Sequence, residues 1–202
     1  MFRRVAICGL GLLGGSFAKA VRRSLPDAEI LGCDLDPDSV GRAARDGVLD
    51  GAFYPGEVPE CDLAVVALPV FRSISVLSGM LEKSGEGTVV IDMGSVKAPI
   101  VDALRGDSGF ARFVPCHPMA GSEQSGYGAA RDDLFRGASV IVTPHEKNAA
   151  DTVERVSALW AVLGASVVSA APAEHDRMVA ATSHLPHLLS SVLASAVAAA
   201  AK

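Results

Sequence analysis

Two kinds of chemistry can be read from residue types and spacing in this sequence, and they lie on separate stretches. The first is anion binding by the main chain. Gly9-Leu10-Gly11-Leu12-Leu13-Gly14 follows the apolar run Arg4–Cys8 and opens a segment of helical periodicity, the order in which a dinucleotide fingerprint is built. Gly9 permits a turn too tight for a Cβ, and Gly11 lets the backbone approach a pyrophosphate. Gly14 lets the helix lie close on the strand with its first amides facing the anion. A second run, Glu29–Asp34, ends in a carboxylate about twenty residues past the last glycine, where the acid that holds a ribose belongs. Asp34 can accept from both ribose hydroxyls and would repel a 2′-phosphate. No arginine follows it closely, so NAD is favoured over NADP.

The second is proton transfer. His117 heads a loop, His117 to Gly126, that crowds small residues with one imidazole and one carboxylate just past an expected strand. Open α/β sheets bind ligands at that end of their strands, and an imidazole, with an ordinary pKa of about 6.5, exchanges protons near neutral pH. Ser95 begins the loop after the Thr88–Asp92 strand on the same edge, and could equally cap the helix that follows. Ala180, His184, His187 and Ser191 recur at i, i+4, i+7 spacing as a polar stripe on an apolar helix. A histidine pair three apart can hold metal, but no third ligand is evident. Cys8, Cys33, Cys61 and Cys116 are too widely spaced for zinc, so no metal site is expected. His145 and His175 read as surface residues.

Elements that alternate in type must position these groups. Helices are expected over Pro37–Arg45, Phe71–Lys83, Val96–Leu104 and Ala149–Leu163, the last carrying Trp160. Strands are expected at Leu63–Leu68, Thr88–Asp92, Phe110–Cys116, Ser139–Thr143 and Ser166–Ser169, with a turn and a short strand in Gly47–Phe53. Continuous apolar runs between helices are the pattern of a doubly wound, mostly parallel α/β sheet. Leu68 and Pro69 end one such run and are expected to wall the cofactor crevice. From Pro172 onward the pattern is one long helix, which Pro186 should bend, leaving the Thr182 carbonyl without its usual partner.

Half of the 202 residues are hydrophobic, enough for a real core. The net charge of −5, with scattered cations, gives no electrostatic reason for nucleic acid or an anionic membrane as partner. The N-terminus lacks the order of a signal peptide, and cysteines in expected buried strands suit a reducing compartment, so a cytoplasmic location is expected. The run after Pro186 is barely long enough to span a bilayer and begins with a histidine. It reads instead as a helix that wants a second surface, a further domain or another chain.

Several stretches together resemble a known family: GLGLLGGS at 9–16, GCDLDPDS at 32–39, DMGSVK at 92–97, HPMAGSE at 117–123, DLFRGA at 133–138 and EHDRMVAATSHLPHL at 174–188. They look like the prephenate and arogenate dehydrogenases of tyrosine biosynthesis, over nearly the whole length. The resemblance implies a Rossmann-like NAD-binding domain over 1–171 and, over 172–202, the first helix of a helical substrate and dimerisation domain. It implies a homodimer that oxidatively decarboxylates prephenate to 4-hydroxyphenylpyruvate, arogenate to tyrosine, or both, with NAD as hydride acceptor. By the same resemblance His117 is the proton acceptor, and Ser95 bonds the substrate hydroxyl or the nicotinamide end and orients His117. Leu10, Leu12 and Leu13 join the three glycines at the cofactor. Ser122 and Glu123 stand at the substrate, with Glu123 gating the pocket, and His184 and His187 line it, with His187 the direct contact. Family members continue into an all-helical region that supplies an arginine for the substrate carboxylate, whereas this sequence stops inside the first helix of that region. A related hydroxyacid or imine reductase would lack HPMAGSE joined to SHLPH and would use a lysine base. A nucleotide-binding sensor or scaffold would bind NAD without turnover.

Overall fold

The computed structural model describes residues 1–200; Ala201 and Lys202, the end of the expected 172–202 segment, lie outside the described residues. Strands β1 (Arg4–Cys8), β2 (Glu29–Cys33), β3 (Gly51–Ala52), β4 (Leu63–Val66), β5 (Val89–Asp92) and β6 (Phe113–Val114) form one sheet in the order β3-β2-β1-β4-β5-β6. Every pairing in it is parallel. The chain winds outward in one direction from β1 and in the other from β4, so the order reverses between these two central strands. That reversal opens the crevice in which such sheets hold ligands.

The apolar runs are continuous because both faces of the sheet are covered. Val5 and Ile7 face one core with α1 (Leu12–Ser24), α2 (Pro37–Arg45) and α5 (Ala150–Val162). Ala6 and Cys8 face the other, with α3 (Val70–Lys83) and α4 (Ala98–Leu104). Trp160 of α5 is fully buried between Phe17 and Phe135, with ring centroids 5.3 and 5.2 Å away in edge-on packing, the geometry that aromatic quadrupoles prefer. All four cysteines are free and buried.

The expected single strand over Phe110–Cys116 is divided in three. Phe110–Arg112 is a 3₁₀ turn and β6 follows it. After Pro115 the chain enters a second sheet as β7 (Cys116–Pro118), beside β8 (Ser139–Val142) and β9 (Ser166–Ser169). β7 pairs antiparallel with β8, and β8 parallel with β9. Proline has no N–H to give a ladder, and the chain changes sheets there. Val114 is in register with Ile91 in the first sheet, whereas Cys116 is in register with Val142 in the second.

The expected long helix is also divided. α6 (Pro172–Val179) passes into a π-helical turn, Ala180–His184, and then into α7 (Leu185–Ala200). The Leu185 amide bonds Ala180 O, a five-residue step that accommodates the amide Pro186 lacks. The wider turn breaks the spacing assumed for the Ala180–His184–His187–Ser191 stripe. α7 buries none of its residues, and Leu185, Leu188, Leu189, Val192, Leu193 and Val197 are all more than half exposed. No helix among the described residues is long and apolar enough to cross a membrane.

Candidate active site

The carboxyl ends of β1, β2, β4 and β5 carry the loops that build the site. At β1, Gly9 has a φ of +95°, and a Cβ there would stand 2.4 Å from Ala67 O, so the turn excludes any side chain. A Cβ on Gly14 would stand 1.8 Å from Gly9 O, which is why α1 can pack directly on the turn. Gly11 instead faces open space. The first turn of α1 has neither a side-chain cap nor an acidic residue, so its amides are open to an anion. Asp34 accepts from the Leu10 amide at 2.6 Å and from the Asp36 amide at 2.9 Å. Each carboxylate oxygen keeps capacity for one further donor.

Two cavities of about 690 and 570 Å³ adjoin along this edge and share Gly11, Ala67, Leu68 and Pro69. The larger is bordered by Gly9, Asp34, Phe53 and Val76, with Arg72 and Lys83 also at its wall. The smaller is bordered by Leu12, Leu13, Ser95, His117, Gln124 and Ser125. Leu68 and Pro69 thus line both cavities. Leu10 is buried beneath it and contributes its amide. Gly14 lies under the turn rather than in the lining.

His117 sits in β7, nearly buried, where the second sheet holds it beside Ile141. Its Nδ1 is 2.8 Å from His175 Nε2, and His175 Nδ1 is 2.7 Å from Asp176 Oδ1. Burial first, and then the charge of Lys97, push the His117 imidazolium down to about 3; His175 and His184 add to this and Asp176 opposes it. His117 therefore rests neutral at working pH. Burial works against the charge on Asp176, but hydrogen bonds from His175 and from the Lys97 and Ala98 amides hold its pKa below the ordinary carboxylate value.

Three residues of this cluster, His175, Asp176 and Lys97, are not picked out by the sequence, and neither is the burial of His145 outside it. His175, expected at the surface, is fully buried against His117. His145, expected there too, is half-buried, stacks on Phe110 at 3.8 Å and lies 2.9 Å from Phe113 O. Asp176 caps α4, taking the Lys97 and Ala98 amides at 2.8 and 2.9 Å. Ser95, two residues ahead of that cap, is left in the cavity lining rather than at the helix end. Lys97 is fully buried, with Nζ bonded to Asp92 and, at 2.8 Å, to Cys116 O. A carboxylate closing an apolar strand five residues before a lysine was the available signal.

Other expected site residues are not drawn in. Ser122 and Glu123 are exposed and border neither cavity; Gln124 and Ser125 of the same loop do. His184 and His187 are exposed, and of the two only His184 is felt electrostatically at His117.

A doubly wound sheet with an uncapped glycine turn at its switch point, a carboxylate at the end of β2 and a neutral imidazole across the crevice defines a dinucleotide-binding domain of the dehydrogenase type. Comparison with known proteins narrows this. The family model described as "Prephenate dehydrogenase, nucleotide-binding domain" matches residues 17–169, and "Prephenate dehydrogenase, dimerization domain" matches residues 171–202. The chain belongs to the prephenate dehydrogenase family. It is 34% identical over 194 residues to the prephenate dehydrogenase of Bacillus subtilis, covering 94% of this chain and 52% of that protein. It is 31% identical over 193 residues to the cyclohexadienyl dehydrogenase of Zymomonas mobilis, covering 94% and 65%. The structure of A. aeolicus prephenate dehydrogenase in complex with hydroxyphenyl propionate and NAD+ superposes with a TM-score of 0.89 at 32% identity, covering 97% of this chain and 69% of that one. The chain thus spans about half to two thirds of the length of these curated relatives.

Proposed function

We propose that this chain is the nucleotide-binding part of an NAD-dependent dehydrogenase that oxidatively decarboxylates prephenate, arogenate or both. The observation that carries the proposal is the neutral imidazole of His117 in the same crevice as Ser95 and the glycine turn. The residues present fit a dinucleotide: a Cβ is excluded at Gly9 and Gly14, Gly11 is open, and Asp34 lies at the far end. When bound, NAD supplies the hydride acceptor. Gly11 and the first amides of α1 would hold the pyrophosphate, and Asp34 would accept from the ribose hydroxyls. His117 takes the proton of the substrate hydroxyl as the C–O bond gains carbonyl character, and Ser95 donates to or accepts from that hydroxyl and keeps it aligned. The ring carbon gives up its hydride, the carboxylate leaves as carbon dioxide, its bonding pair completes the aromatic ring, and the phenolate oxygen so formed takes the proton back from His117.

Residues 1–171 act as the cofactor domain and 172–202 as the start of a helical part. The exposed apolar side of α7 supports a homodimer built through that part. Free buried cysteines support a reducing, cytoplasmic setting. His184, His187, Ser122 and Glu123 serve the substrate only if the helical part and the His117 loop close over the smaller cavity. A binding module without turnover has no need of a buried imidazole in the crevice.

The test is NADH formation, followed at 340 nm, with prephenate and with arogenate. His117→Asn should keep NAD binding and lose about 10²- to 10⁴-fold in kcat, the share of a general base. Absence of NADH with both substrates, or near-normal turnover in that variant, would overturn the proposal.

A further inference from the structure

We propose that His175 and Asp176 are positioning residues for His117: together they fix its neutral ring as the Nδ1–H tautomer, so that Nε2 is the lone pair offered to the substrate. The inference rests on the dehydrogenase reading for its purpose, but not for its geometry. An ionised carboxylate only accepts hydrogen bonds, so Asp176 Oδ1 at 2.7 Å places a proton on His175 Nδ1. With that as the ring's single proton, His175 presents a bare Nε2, and His117 Nδ1 at 2.8 Å must donate to it. His117 Nε2 has no partner among the described residues, nor is it among the buried atoms left unpaired, so it is open to the cavity.

The arrangement also answers a difficulty in the chemistry. Burial and Lys97 make His117 a reluctant proton acceptor, and His184 from the π turn adds to that effect. Of the charged groups packed around the ring, Asp176 is the one that favours its protonated form. When Nε2 takes the substrate's proton, the Nδ1–H bond to His175 strengthens. The new positive charge is then backed, through the second imidazole, by a carboxylate held in place by two helix amides. The proton comes from the substrate hydroxyl and rests on His117 Nε2; the other two protons of the chain keep their places.

The competing arrangement has a doubly protonated His175 that donates from Nε2, which would force His117 to carry its proton on Nε2 and leave no base in the cavity. Imidazole ¹⁵N shifts distinguish the two and need no turnover. With labelled histidine at neutral pH, His117 (assigned by its loss in His117→Asn) should show Nδ1 protonated and Nε2 bare. In Asp176→Leu nothing accepts from His175 Nδ1, so neither tautomer is fixed. His117 should then show a mixture of Nδ1–H and Nε2–H, and kcat should fall about 10²- to 10⁴-fold with NAD affinity unchanged. Because that variant also touches the α4 cap, His175→Gln and His175→Phe complete the test. Gln keeps an acceptor for Nδ1–H and should hold the wild-type tautomer with the larger share of activity, whereas Phe should lose both. A wild-type His117 already protonated on Nε2, a doubly protonated His175, or an Asp176→Leu protein with unchanged tautomer and kcat would overturn the inference. The expected tautomer in a protein that turns over neither prephenate nor arogenate would uphold the positioning and reject the reaction.

Discussion

Lys97→Met is the perturbation whose cost follows most directly from the structure. Lys97 Nζ lies fully buried between Asp92 and the carbonyl of Cys116, at the point where the chain leaves the parallel sheet for the second one. Methionine matches the stem but removes the charge, and breaking a buried pair from one side costs about 3–5 kcal/mol. Asp92 keeps the Gly94 amide at 3.0 Å and the Cys116 amide at 3.2 Å, which argues for the lower half of that range. For a domain of this size, about 2–4 °C of melting temperature per kcal/mol turns about 3–4 kcal/mol into a drop of roughly 6–16 °C. Urea unfolding with an unchanged m-value is the matching equilibrium measurement. The double variant Asp92→Asn/Lys97→Met carries no stranded charge and should recover more than half of the loss. A second readout is local: Lys97 is one of the causes that hold the His117 imidazolium at about 3, so in Lys97→Met that pKa should move up toward its ordinary value. A loss under about 1 kcal/mol, or a double variant no more stable than the single one, would refute the claim that this pair clamps the junction.

Three further outcomes are expected. Gly14→Ala sets a methyl 1.8 Å from Gly9 O, so α1 must move off the turn; stability should fall by about 1–3 kcal/mol and NAD affinity with it, and calorimetric titration showing wild-type affinity would reject the close-packing argument. Asp34→Ser removes a charged acceptor and releases the Leu10 amide, so NAD should bind about 10- to 100-fold more weakly and its advantage over NADP should narrow; an unchanged preference would mean the ribose is read elsewhere. His117 is held down to about 3 in the fold against about 6.5 unfolded, so below pH 6.5 the unfolded chain binds a proton that the native one does not. Stability is therefore full above pH 6.5 and falls as pH drops toward 3, by a few kcal/mol at most, and Asp50 and Asp176, both lowered, add losses of the same sign below about pH 4. Urea midpoints between pH 7 and 4.5 should decline less steeply in His117→Asn, and parallel declines would remove His117 as a source of acid sensitivity.

The cofactor half of the site was legible because its signals are local. Gly9, Gly11, Gly14 and Asp34 act through backbone conformation and strand ends, which spacing along the chain specifies directly. The apolar runs of β1, β4 and β5 were legible for a similar reason, since burial on both faces leaves no alternation to misread. The half around His117 depends on contacts that no periodicity reports. His117 and His175 are 58 residues apart and meet because β7 crosses to a second sheet and α6 returns over α4. Pro115 was the one local mark of that crossing, and an apolar run on either side of it hid the break. Lys97 and His175 were assigned to the surface or passed over because charged and polar side chains are seldom fully buried. Each is buried here only because a partner distant in sequence meets it.

Asp176 joins these parts physically. Its Oδ1 serves both His175 and the Lys97 amide, and its Oδ2 the Ala98 amide, so one carboxylate fixes the start of α4, the orientation of the imidazole pair and the position of α6. The backbone of Lys97 is thereby tied to α6, while its side chain is tied to the β5 end and to the residue before His117. A shift of α6 along its axis would pull on the α4 cap and on the His175 ring together, and through that ring on His117. α6 is therefore part of the frame that holds His117. Motion of the helical part should register as a change at His117 Nε2 before it registers anywhere in the glycine turn, which is anchored separately by Gly9 N on Cys33 O at 2.8 Å.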